Sequence, residues 1–504
     1  MTGMARMTKE LGTDTAITRG QLFIDGCWRD STSGRTFNSL NPATAKPLAT
    51  FAEANADDID QAVQAAKRAA LAEAWTSIVP KDREEILRDI ARLILEHREE
   101  FARLESQDVG KPYKSALEGD IPGAARNFAH FAGWVTKLYG ETSPVDPAFF
   151  NYVLREPIGV VGVITPWNFP LAIAAKKIGA ALAAGNSVVF KPAEQTSLTA
   201  LRLADLAQKA GVPDGVLNVV TGFGEEAGDA LVKHPDVGMI SFTGEAATGQ
   251  LIQKNAAATL KKCVLELGGK SPNVVFADCD LDEAVTWAYS SAFGNQGENC
   301  NSGSRLFLEK SIKTEFLGKL LDAVEKTIVG DPMSEQTTMG ALVSEEHLEK
   351  VLSYISIGIE EGARLVCGGG RVEVDECAGY FVEPTIFDGV TNDMRIAQEE
   401  IFGPVLSVLE FDEIQDVIAQ ANDVQYGLAA CVFTSDIVRA HYMARKLNAG
   451  TVWINCHGVV DPNSPYGGRK LSGLGTEGGF EGILEHTQAK SVWVNMRTAS
   501  RFES

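Results

Sequence analysis

The chain lacks paired cysteines and long uninterrupted apolar runs. Its eight cysteines are scattered over 504 residues without a CxxC pair, so the sequence predicts neither a disulfide framework nor a metal site. A reducing, cytoplasmic location is therefore expected. The most apolar region, residues 158–190, is interrupted by Pro166, Asn168, Pro170, Lys176 and Lys177. It offers no stretch of about 18 apolar residues, so no membrane span is expected there.

Positive charge is scarce as well. The chain has 46 lysines and arginines against 67 aspartates and glutamates, a formal net charge of -21. Nucleic acids and anionic membranes attract positively charged surfaces, so neither is expected as a partner. The first 20 residues are polar and lack the apolar stretch of a secretory signal, and they are predicted to be disordered.

What the chain does contain is a regular alternation of short β-rich and amphipathic segments, which is typical of consecutive βα units. Strands are predicted at 159–164, 187–190, 216–220, 238–242 and 263–267, with helices at 171–184, 197–210, 225–233 and 247–259. A second set follows, with strands at 272–276, 305–308, 405–411, 429–433 and 451–454, and helices from 281, at 312–328 and at 345–361. The sequence predicts an α/β protein with two doubly wound, Rossmann-like domains.

The predicted boundaries are 21–139 with 156–269 for the first domain and 270–483 for the second. Residues 140–155 and 484–504 contain β-like segments that belong to neither set. We expect them to pair with each other as a small β excursion used for subunit contact.

Cys300 is the most informative single residue. It lies in a polar turn punctuated by glycines, between the helix that begins at 281 and the strand that begins at 305. Most cysteines of folded proteins are inert apolar fillers, and this one has the opposite surroundings. The pattern therefore predicts a nucleophile.

Four further side chains stand at or just after predicted strand ends. Asn168 is a candidate oxyanion donor, or alternatively a turn or N-cap residue of the next helix. Lys191 and Glu194 could reach two hydroxyls of a ribose, or could form a solvated ion pair. Glu266 precedes two glycines that would let a general base move, although it could also be an ordinary glutamate at a strand end.

Two glycine-rich turns and one acidic turn could bind a dinucleotide. The turn from Gly222 through Gly224 has GxGxxxG spacing and is a weak fingerprint. The turn with Gly244 and Glu245 could offer backbone amides to a pyrophosphate. Glu400 and Phe402 could hold a ribose and enclose a nicotinamide ring. Each of these turns is equally compatible with a purely structural role.

Together, and in this order, these segments resemble the aldehyde dehydrogenase superfamily over roughly residues 23–494. The most specific are TPWNFP from 165, KPAE from 191, FTGEAATG from 242, ELGGKSPN from 266, GENCNSGSR from 297, EEIFGPV from 399 and SPYGGRKLSG from 464. The resemblance implies that the first domain binds NAD, that the second is catalytic, and that the chain forms a homodimer or homotetramer.

The resemblance also implies roles for individual residues. Cys300 would attack a small-molecule aldehyde, Asn168 would hold the oxyanion, Glu266 would activate the hydrolytic water, and Lys177 would tune the thiol. The implied cofactor residues are Ile164, Thr165, Pro166, Trp167, Lys191, Glu194, Gly224, Phe242, Gly244, Glu245, Leu267, Glu400 and Phe402. Trp167 is expected near the wall that holds the adenosine ribose. NAD is expected rather than NADP, because Glu194 should repel a 2′-phosphate.

Three positions depart from the family pattern. Glu245 replaces a common serine and, unless it points away, should weaken cofactor binding. Glu298 replaces a usual glutamine and is expected to raise the pKa of the nearby thiol. Arg469 replaces a frequent aromatic residue, with no consequence that the sequence alone indicates.

The substrate is the most open question. Lys176, Asn299, Asn301 and Tyr466 are the candidate substrate residues. Lys176 stands where enzymes resembling succinate semialdehyde dehydrogenases carry arginine, so it could pair with a distal carboxylate. Residues 455–462 instead resemble enzymes that act on aromatic or aliphatic aldehydes. A relative that transfers the acyl group to coenzyme A, or a non-catalytic protein, remains an alternative function at this stage.

Overall fold

A computed structural model gives the structure of the protein and describes residues 18–496. Of the segment predicted to be disordered, residues 1–17 lie outside the described part. Thr18–Gly20 instead form a strand that pairs in parallel with Lys46–Ala52.

The strands and helices are numbered here in chain order over the described residues. Strands β1 to β23 are Thr18–Gly20, Leu22–Ile24, Cys27–Arg29, Thr36–Asn41, Lys46–Ala52, Glu141–Ser143, Phe149–Pro157, Val160–Ile164, Ser187–Lys191, Leu217–Val219, Met239–Thr243, Lys262–Glu266, Pro272–Val275, Arg305–Glu309, Arg364–Cys367, Thr385–Asp388, Val405–Phe411, Tyr426–Gly427, Ala429–Phe433, Thr451–Ile454, Arg469–Lys470, Gly473–Leu474 and Thr487–Asn495. Helices α1 to α17 are Ala56–Leu71, Glu73–Thr76, Pro80–Glu96, Arg98–Val109, Tyr113–Ser115, Ile121–Ala132, Pro170–Ala183, Leu198–Lys209, Asp229–Lys233, Ala246–Ala256, Leu281–Phe293, Lys313–Val324, Glu345–Glu360, Arg395–Gln398, Ile414–Asn422, Ile437–Lys446 and Gly479–Glu485.

The first large sheet has the strand order β22-β12-β11-β8-β9-β10-β2-β3. Its central strands β8, β9, β11 and β12 run parallel. They are rich in valine and isoleucine because helices cover both faces. One face packs on a cluster that includes α7 and α8, and the other on α1 and α10.

The order of the first sheet reverses between β8 and β11, which are neighbours although β9 and β10 lie between them in the chain. In open α/β sheets, ligands bind beyond the carboxyl ends of the strands at such a reversal. The segments that leave these two strands begin at Thr165 and Gly244, so the fold directs both of them to one crevice.

The second large sheet has the order β15-β16-β17-β14-β13-β19-β20 and is parallel except for β15. It also reverses, between β13 and β19. Helices α11 and α12 contribute to the cluster on one face, and α13 and α15 to the cluster on the other. Both doubly wound sheets predicted from the sequence are thus present.

The chain returns to the first sheet after completing the second. Strand β22 pairs with β12, with Leu474 opposite Leu265, although residues 473–474 fall inside the predicted second domain. This return brings residues 466–477 next to the end of β12, where Glu266 lies.

A third sheet of three antiparallel strands has the order β23-β7-β6. Ala489 lies opposite Arg155, and the pairing of β23 with β7 extends over nine residues. The prediction that the segment after 140 pairs with the tail is therefore confirmed.

Within residues 18–496, no helix is long and apolar enough to cross a membrane.

Candidate active site

Two cavities meet at the predicted nucleophile. The first cavity has a volume of about 530 Å³ and the second a volume of about 450 Å³. Both are lined by Cys300, Glu266, Thr243 and Ile173. A molecule in one cavity can therefore meet a molecule in the other at the sulfur of Cys300.

The loop that carries Cys300 has an unusual backbone. Asn295 and Gln296 have φ values of 52° and 57°, and Gly297 follows with 71°. Left-handed backbone costs free energy in residues other than glycine and recurs at functional sites. A Cβ atom at Gly297 would lie 2.3 Å from the backbone of Gly403, so glycine is required there by close packing.

The Cys300 thiol is protonated in its resting surroundings. Burial is the largest cause that raises the pKa of Cys300, Glu400 and Glu266 add to it, and Lys176 and a hydrogen bond with Tyr466 oppose it, with a resulting pKa of about 12. A protonated thiol is a poor nucleophile. The site must therefore supply charge or remove a proton when the aldehyde arrives.

Glu298 does not have the effect on this thiol that the sequence suggested. Its carboxyl is fully buried and accepts a hydrogen bond of 3.0 Å from Val343 N. Burial raises the pKa of Glu298 well above its usual range, which favours the neutral form. The largest influences on the thiol come instead from burial, Glu400 and Glu266.

Asn168 contacts the nucleophile loop directly. Its Nδ2 donates a hydrogen bond of 2.9 Å to the backbone carbonyl of Glu298, and the side chain is almost completely buried. Its Oδ1 has no partner among the described residues. The N-cap of α7 is Phe169, which makes no side-chain capping bond, so the N-cap alternative for Asn168 is wrong.

Glu266 ends β12 and is 4% exposed. Neither carboxylate oxygen has a hydrogen-bond partner within residues 18–496. Burial raises the pKa of Glu266 well above its usual value and Glu477 adds to this, against the opposing ammonium groups of Lys176 and Lys177. A buried carboxyl with free oxygens beside a nucleophile is suited to proton transfer.

The two glycines after Glu266 serve close packing. A Cβ atom at Gly268 would lie 2.0 Å from Glu400, and one at Gly269 would lie 2.5 Å from the backbone oxygen of Cys300. Gly269 N also donates a hydrogen bond of 2.9 Å to Glu400 Oε1. The glycines thus let the strand end approach both groups.

The two adjacent lysines of α7 have different surroundings. Lys177 Nζ donates to Ser241 Oγ at 3.2 Å and to the Glu477 carboxylate. Lys176 Nζ lies 3.5 Å from Glu477 Oε2 and 4.9 Å from the ring centroid of Tyr466. Lys176 lines the second cavity, whereas Lys177 lines neither cavity. Lys176 is the lysine whose charge acts on the Cys300 thiol, although the sequence suggested Lys177.

Glu477 was not predicted from the sequence. Burial alone would raise its pKa, but Lys177 and Lys176 outweigh burial and lower the pKa of Glu477. Its backbone exchanges two hydrogen bonds of 2.7 Å with Tyr466. No strand or helix pattern surrounds residue 477, so only the fold reveals its place in the site.

The predicted cofactor residues fall into two groups. Those around the first cavity are Pro166, Trp167, Gly244, Glu245, Glu400 and Phe402. Ile164 and Phe242 are paired, buried residues of β8 and β11, with Thr165 directly after them. Leu267 packs against Gly249 of α10. A Cβ atom at Gly249 would lie 2.5 Å from the side chain of Leu267.

Lys191, Glu194 and Gly224 belong to a separate cluster at the end of β9. Lys191 Nζ is buried and lies 3.4 Å from Glu194 Oε2. The turn that begins at Gly224 reaches this lysine through Gly228, whose Cβ position is 3.6 Å from Lys191 Cδ. Burial lowers the pKa of Lys191.

The sequence suggested that Trp167 lies near this cluster, but Trp167 lies elsewhere. Its ring contacts His347 and Phe402 at centroid distances of 5.1 Å and 5.2 Å. Phe402 has a φ of 61°, and His347 Nε2 lies 2.7 Å from the backbone oxygen of Phe402. The three rings therefore form one wall of the first cavity. His347 belongs to α13 and was not predicted.

The predicted substrate residues Asn299, Asn301 and Tyr466 line the second cavity together with Lys176. Its remaining walls include Phe169, Arg126 and His457. Arg469 lies on the exposed strand β21 and contacts Asn448, and nothing in the structure gives it a role in the site.

Known proteins are similar to this chain in sequence and in fold. Residues 28–492 match the model of the Aldehyde dehydrogenase family. The mitochondrial aldehyde dehydrogenase of Equus caballus is 45% identical over 478 residues, which are 94% of this chain and 95% of that protein. The NAD+ complex of aldehyde dehydrogenase from Bacillus cereus has 45% identity and a TM-score of 0.93, and the match covers 95% of this chain and 97% of that one.

A third relative is the indole-3-acetaldehyde dehydrogenase AldA of P. syringae. A variant of it in complex with NAD+ and IAA has 44% identity and a TM-score of 0.94, with 98% of this chain and 99% of that one covered. With a family match over almost all of the described residues, and with relatives of similar length, the chain belongs to the aldehyde dehydrogenase family.

Proposed function

We propose that this protein oxidises an aldehyde to its carboxylic acid with NAD+, through a covalent intermediate on Cys300. The observation that carries this proposal is the meeting of two cavities at a sulfur that shares its surroundings with Glu266 and Asn168. One cavity suits a cofactor and the other an aldehyde.

The first cavity has groups that fit a dinucleotide. The hydroxyls of Thr165 and Thr243 are buried without partners among the described residues, and α10 presents its amino-terminal amides next to Gly244. Such amides favour a pyrophosphate. Lys191 and Glu194 are suited to the adenosine ribose, and Glu400 and Phe402 to the nicotinamide end. These residues would hold NAD+, which would supply the acceptor for the hydride that leaves the carbon attached to the Cys300 sulfur.

Asn168 and the backbone N–H of Cys300 would stabilise the oxyanion that forms when the thiolate attacks the aldehyde. A side-chain amide has two N–H groups. One N–H of Asn168 is held by the carbonyl of Glu298, which Asn295 Nδ2 also contacts at 3.1 Å. The other N–H is then oriented in advance toward the reacting oxygen, which is how oxyanion sites work.

Glu266 would act as the general base for hydrolysis of the thioester. Its raised pKa favours the protonated form in the resting site, so a proton must pass from Glu266 to solvent water before Glu266 can act as the base. The base then takes a proton from water, and the hydroxide attacks the acyl carbon and displaces the Cys300 thiolate. A carboxyl in this place supports hydrolysis over transfer to coenzyme A, and the products, free acid or acyl-CoA, distinguish the two.

We also propose that the chain forms a homodimer or homotetramer through the third sheet. Four large apolar side chains of β7 and β23 are exposed, namely Phe150, Leu154, Trp493 and Val494. Phe150, Leu154 and Val494 lie on one face of the sheet and Trp493 on the other, so exposed apolar side chains, which are typical of interaction surfaces, occur on both faces.

The test is a rapid-quench experiment with purified protein, NAD+ and a panel of aliphatic, aromatic and carboxylated aldehydes. We expect a burst of NADH and an acyl adduct on the Cys300 peptide by mass spectrometry. Cys300→Ala should abolish both, whereas Cys27→Ala, which removes an exposed cysteine, should leave both unchanged. Full turnover by Cys300→Ala would refute the proposal.

A further inference from the structure

Lys176 is held at a defined place in the second cavity by two residues that are bridged to each other. Its ammonium lies over the ring of Tyr466 and 3.5 Å from the carboxylate of Glu477. Tyr466 and Glu477 pair through their backbones as an isolated antiparallel bridge. One local structure thus fixes both contacts of the lysine.

The ammonium of Lys176 is partly exposed to the second cavity. It forms an ion pair of 3.5 Å with Glu477 Oε2, and its side chain is 16% exposed. Lys177, its neighbour in sequence, is instead fully buried and bonded to Ser241 and Glu477. Two ammonium groups therefore share one carboxylate, which leaves a net positive charge on this trio.

The other ionisable groups with the largest effect on the thiol are two carboxyl groups and a phenol. Glu400 approaches from the segment before β17, Glu266 from the end of β12, and Tyr466 from the bridge described above. Glu298, on the nucleophile loop, directs its carboxyl to Val343. Among the groups that shift the thiol most, Lys176 supplies the positive charge.

We propose that Lys176 is a positioning residue that stabilises the Cys300 thiolate electrostatically, and not a residue that recognises a charged group of the substrate. This inference rests on the proposed function, because it assumes that Cys300 is the nucleophile. It is supported by the ion pair with Glu477 and the contact with the Tyr466 ring, which hold the Lys176 ammonium in the cavity that Cys300 also lines. In this role, Lys176 places a cation that stabilises the thiolate in the second cavity. The aldehyde substrate then does not need to carry a negative charge.

The test measures the reactivity of the thiol without cofactor or turnover. Iodoacetamide alkylates thiolates, so the rate of labelling against pH reports the apparent thiol pKa. The rate is followed on the Cys300 peptide by mass spectrometry in the wild type, in Lys176→Met, in Lys176→Arg and in Lys254→Met. Lys254 is an exposed lysine of α10 and serves as the matched control. Thermal unfolding checks that each variant is folded, and Lys176→Gln replaces Lys176→Met if the latter is not.

We expect Lys176→Met to raise the apparent thiol pKa by about one unit, the size of effect that one nearby opposite charge has. Lys176→Arg should restore the wild-type profile, and Lys254→Met should not change it. In a Glu266→Gln background the shift should persist, because the charge of residue 266 is then constant. An unchanged profile in Lys176→Met would overturn the inference.

Turnover provides the second measurement. We expect Lys176→Met to lower kcat/KM by the same factor for a neutral and a carboxylated aldehyde of similar length. At pH values below the thiol pKa this factor should be about 10-fold. A loss confined to the carboxylated aldehyde would overturn the inference and identify Lys176 as a substrate-binding residue. Failure of the proposed function has a different signature, namely turnover that survives Cys300→Ala.

Discussion

The side-chain amide of Asn168 donates a 2.9 Å hydrogen bond to the backbone carbonyl of Glu298, two residues before the nucleophile. The same carbonyl accepts a second hydrogen bond, from Asn295 Nδ2, and Asn295 belongs to a left-handed turn of the nucleophile loop. The oxyanion donor and the nucleophile are thereby held in one hydrogen-bonded unit, although 132 positions separate them in the chain.

The first prediction concerns this donor. Asn168→Ala removes one of the two groups that stabilise the oxyanion, so we expect kcat to fall by about 100- to 1000-fold. Steady-state NADH production measures the loss. The rate of Cys300 alkylation should stay at the wild-type value and shows that the loop is intact. If kcat falls less than about 3-fold, Asn168 is not an oxyanion donor.

The second prediction concerns the base. Because the pKa of Glu266 is raised, the base form increases as pH rises, and hydrolysis of the thioester should accelerate with pH up to that pKa. Glu266→Gln should retain the NADH burst, lower steady-state kcat by about 100-fold or more, and lose this pH dependence. Stopped-flow measurements across pH separate the two phases. A missing burst would contradict the assignment.

Strand ends made much of the site predictable from sequence. Asn168, Lys191 and Glu266 each end or follow a predicted apolar strand of the first set, so the pattern indicated one edge of one sheet, whereas Glu400 leads into a strand of the second set. The nucleophile was identifiable because its surroundings are polar and rich in glycine.

Other parts of the site depend on contacts that no local pattern encodes. Glu477 enters through a two-residue bridge with Tyr466, and β22 returns to the first sheet only after the second is complete. His347 lies on an amphipathic helix, and the sequence pattern of that helix marks residue 347 only as a buried position. Its packing against Trp167 is seen only in the structure. The direction of the Glu298 carboxyl could not be predicted either, because it depends on Val343, 45 residues away.

The third prediction concerns cofactor choice. Glu194 lies 3.4 Å from Lys191 and is partly exposed, so its charge should oppose a 2′-phosphate at the ribose. We expect Glu194→Gln to raise kcat/KM for NADP+ by about 10-fold or more, since like charges in contact cost several kcal/mol. Activity with NAD+ should fall, because the carboxylate no longer accepts from the 2′-hydroxyl. Wild-type enzyme that prefers NADP+ would contradict this role.

The fourth prediction concerns Glu245, which is exposed, lines the first cavity and begins α10 without making a side-chain cap bond. Its charge should oppose an anionic cofactor. We expect Glu245→Gln to tighten NAD+ binding by about 2- to 5-fold, as for a partly screened surface charge. Quenching of Trp167 fluorescence at low and high salt measures the change, which should shrink as salt increases. Glu335→Gln, an exposed glutamate outside both cavities, is the control.

The fifth prediction concerns the third sheet. Trp493 is 59% exposed although it packs edge to face on Phe149, and β23 is an edge strand of its sheet. An exposed aromatic on an unpaired edge is stable when another chain covers it. We expect Trp493→Asp to convert the oligomer to monomers, because the interface would then bury an unpaired charge.

Sedimentation velocity measures the mass of this variant, with Leu71→Asp as the matched control. Leu71 is 76% exposed and ends α1, so a charge there should leave the mass unchanged. If both variants keep the wild-type mass, the third sheet is not the contact. If only Trp493→Asp becomes monomeric while Cys300 alkylation is retained, the third sheet serves assembly and is not needed for the reactivity of Cys300.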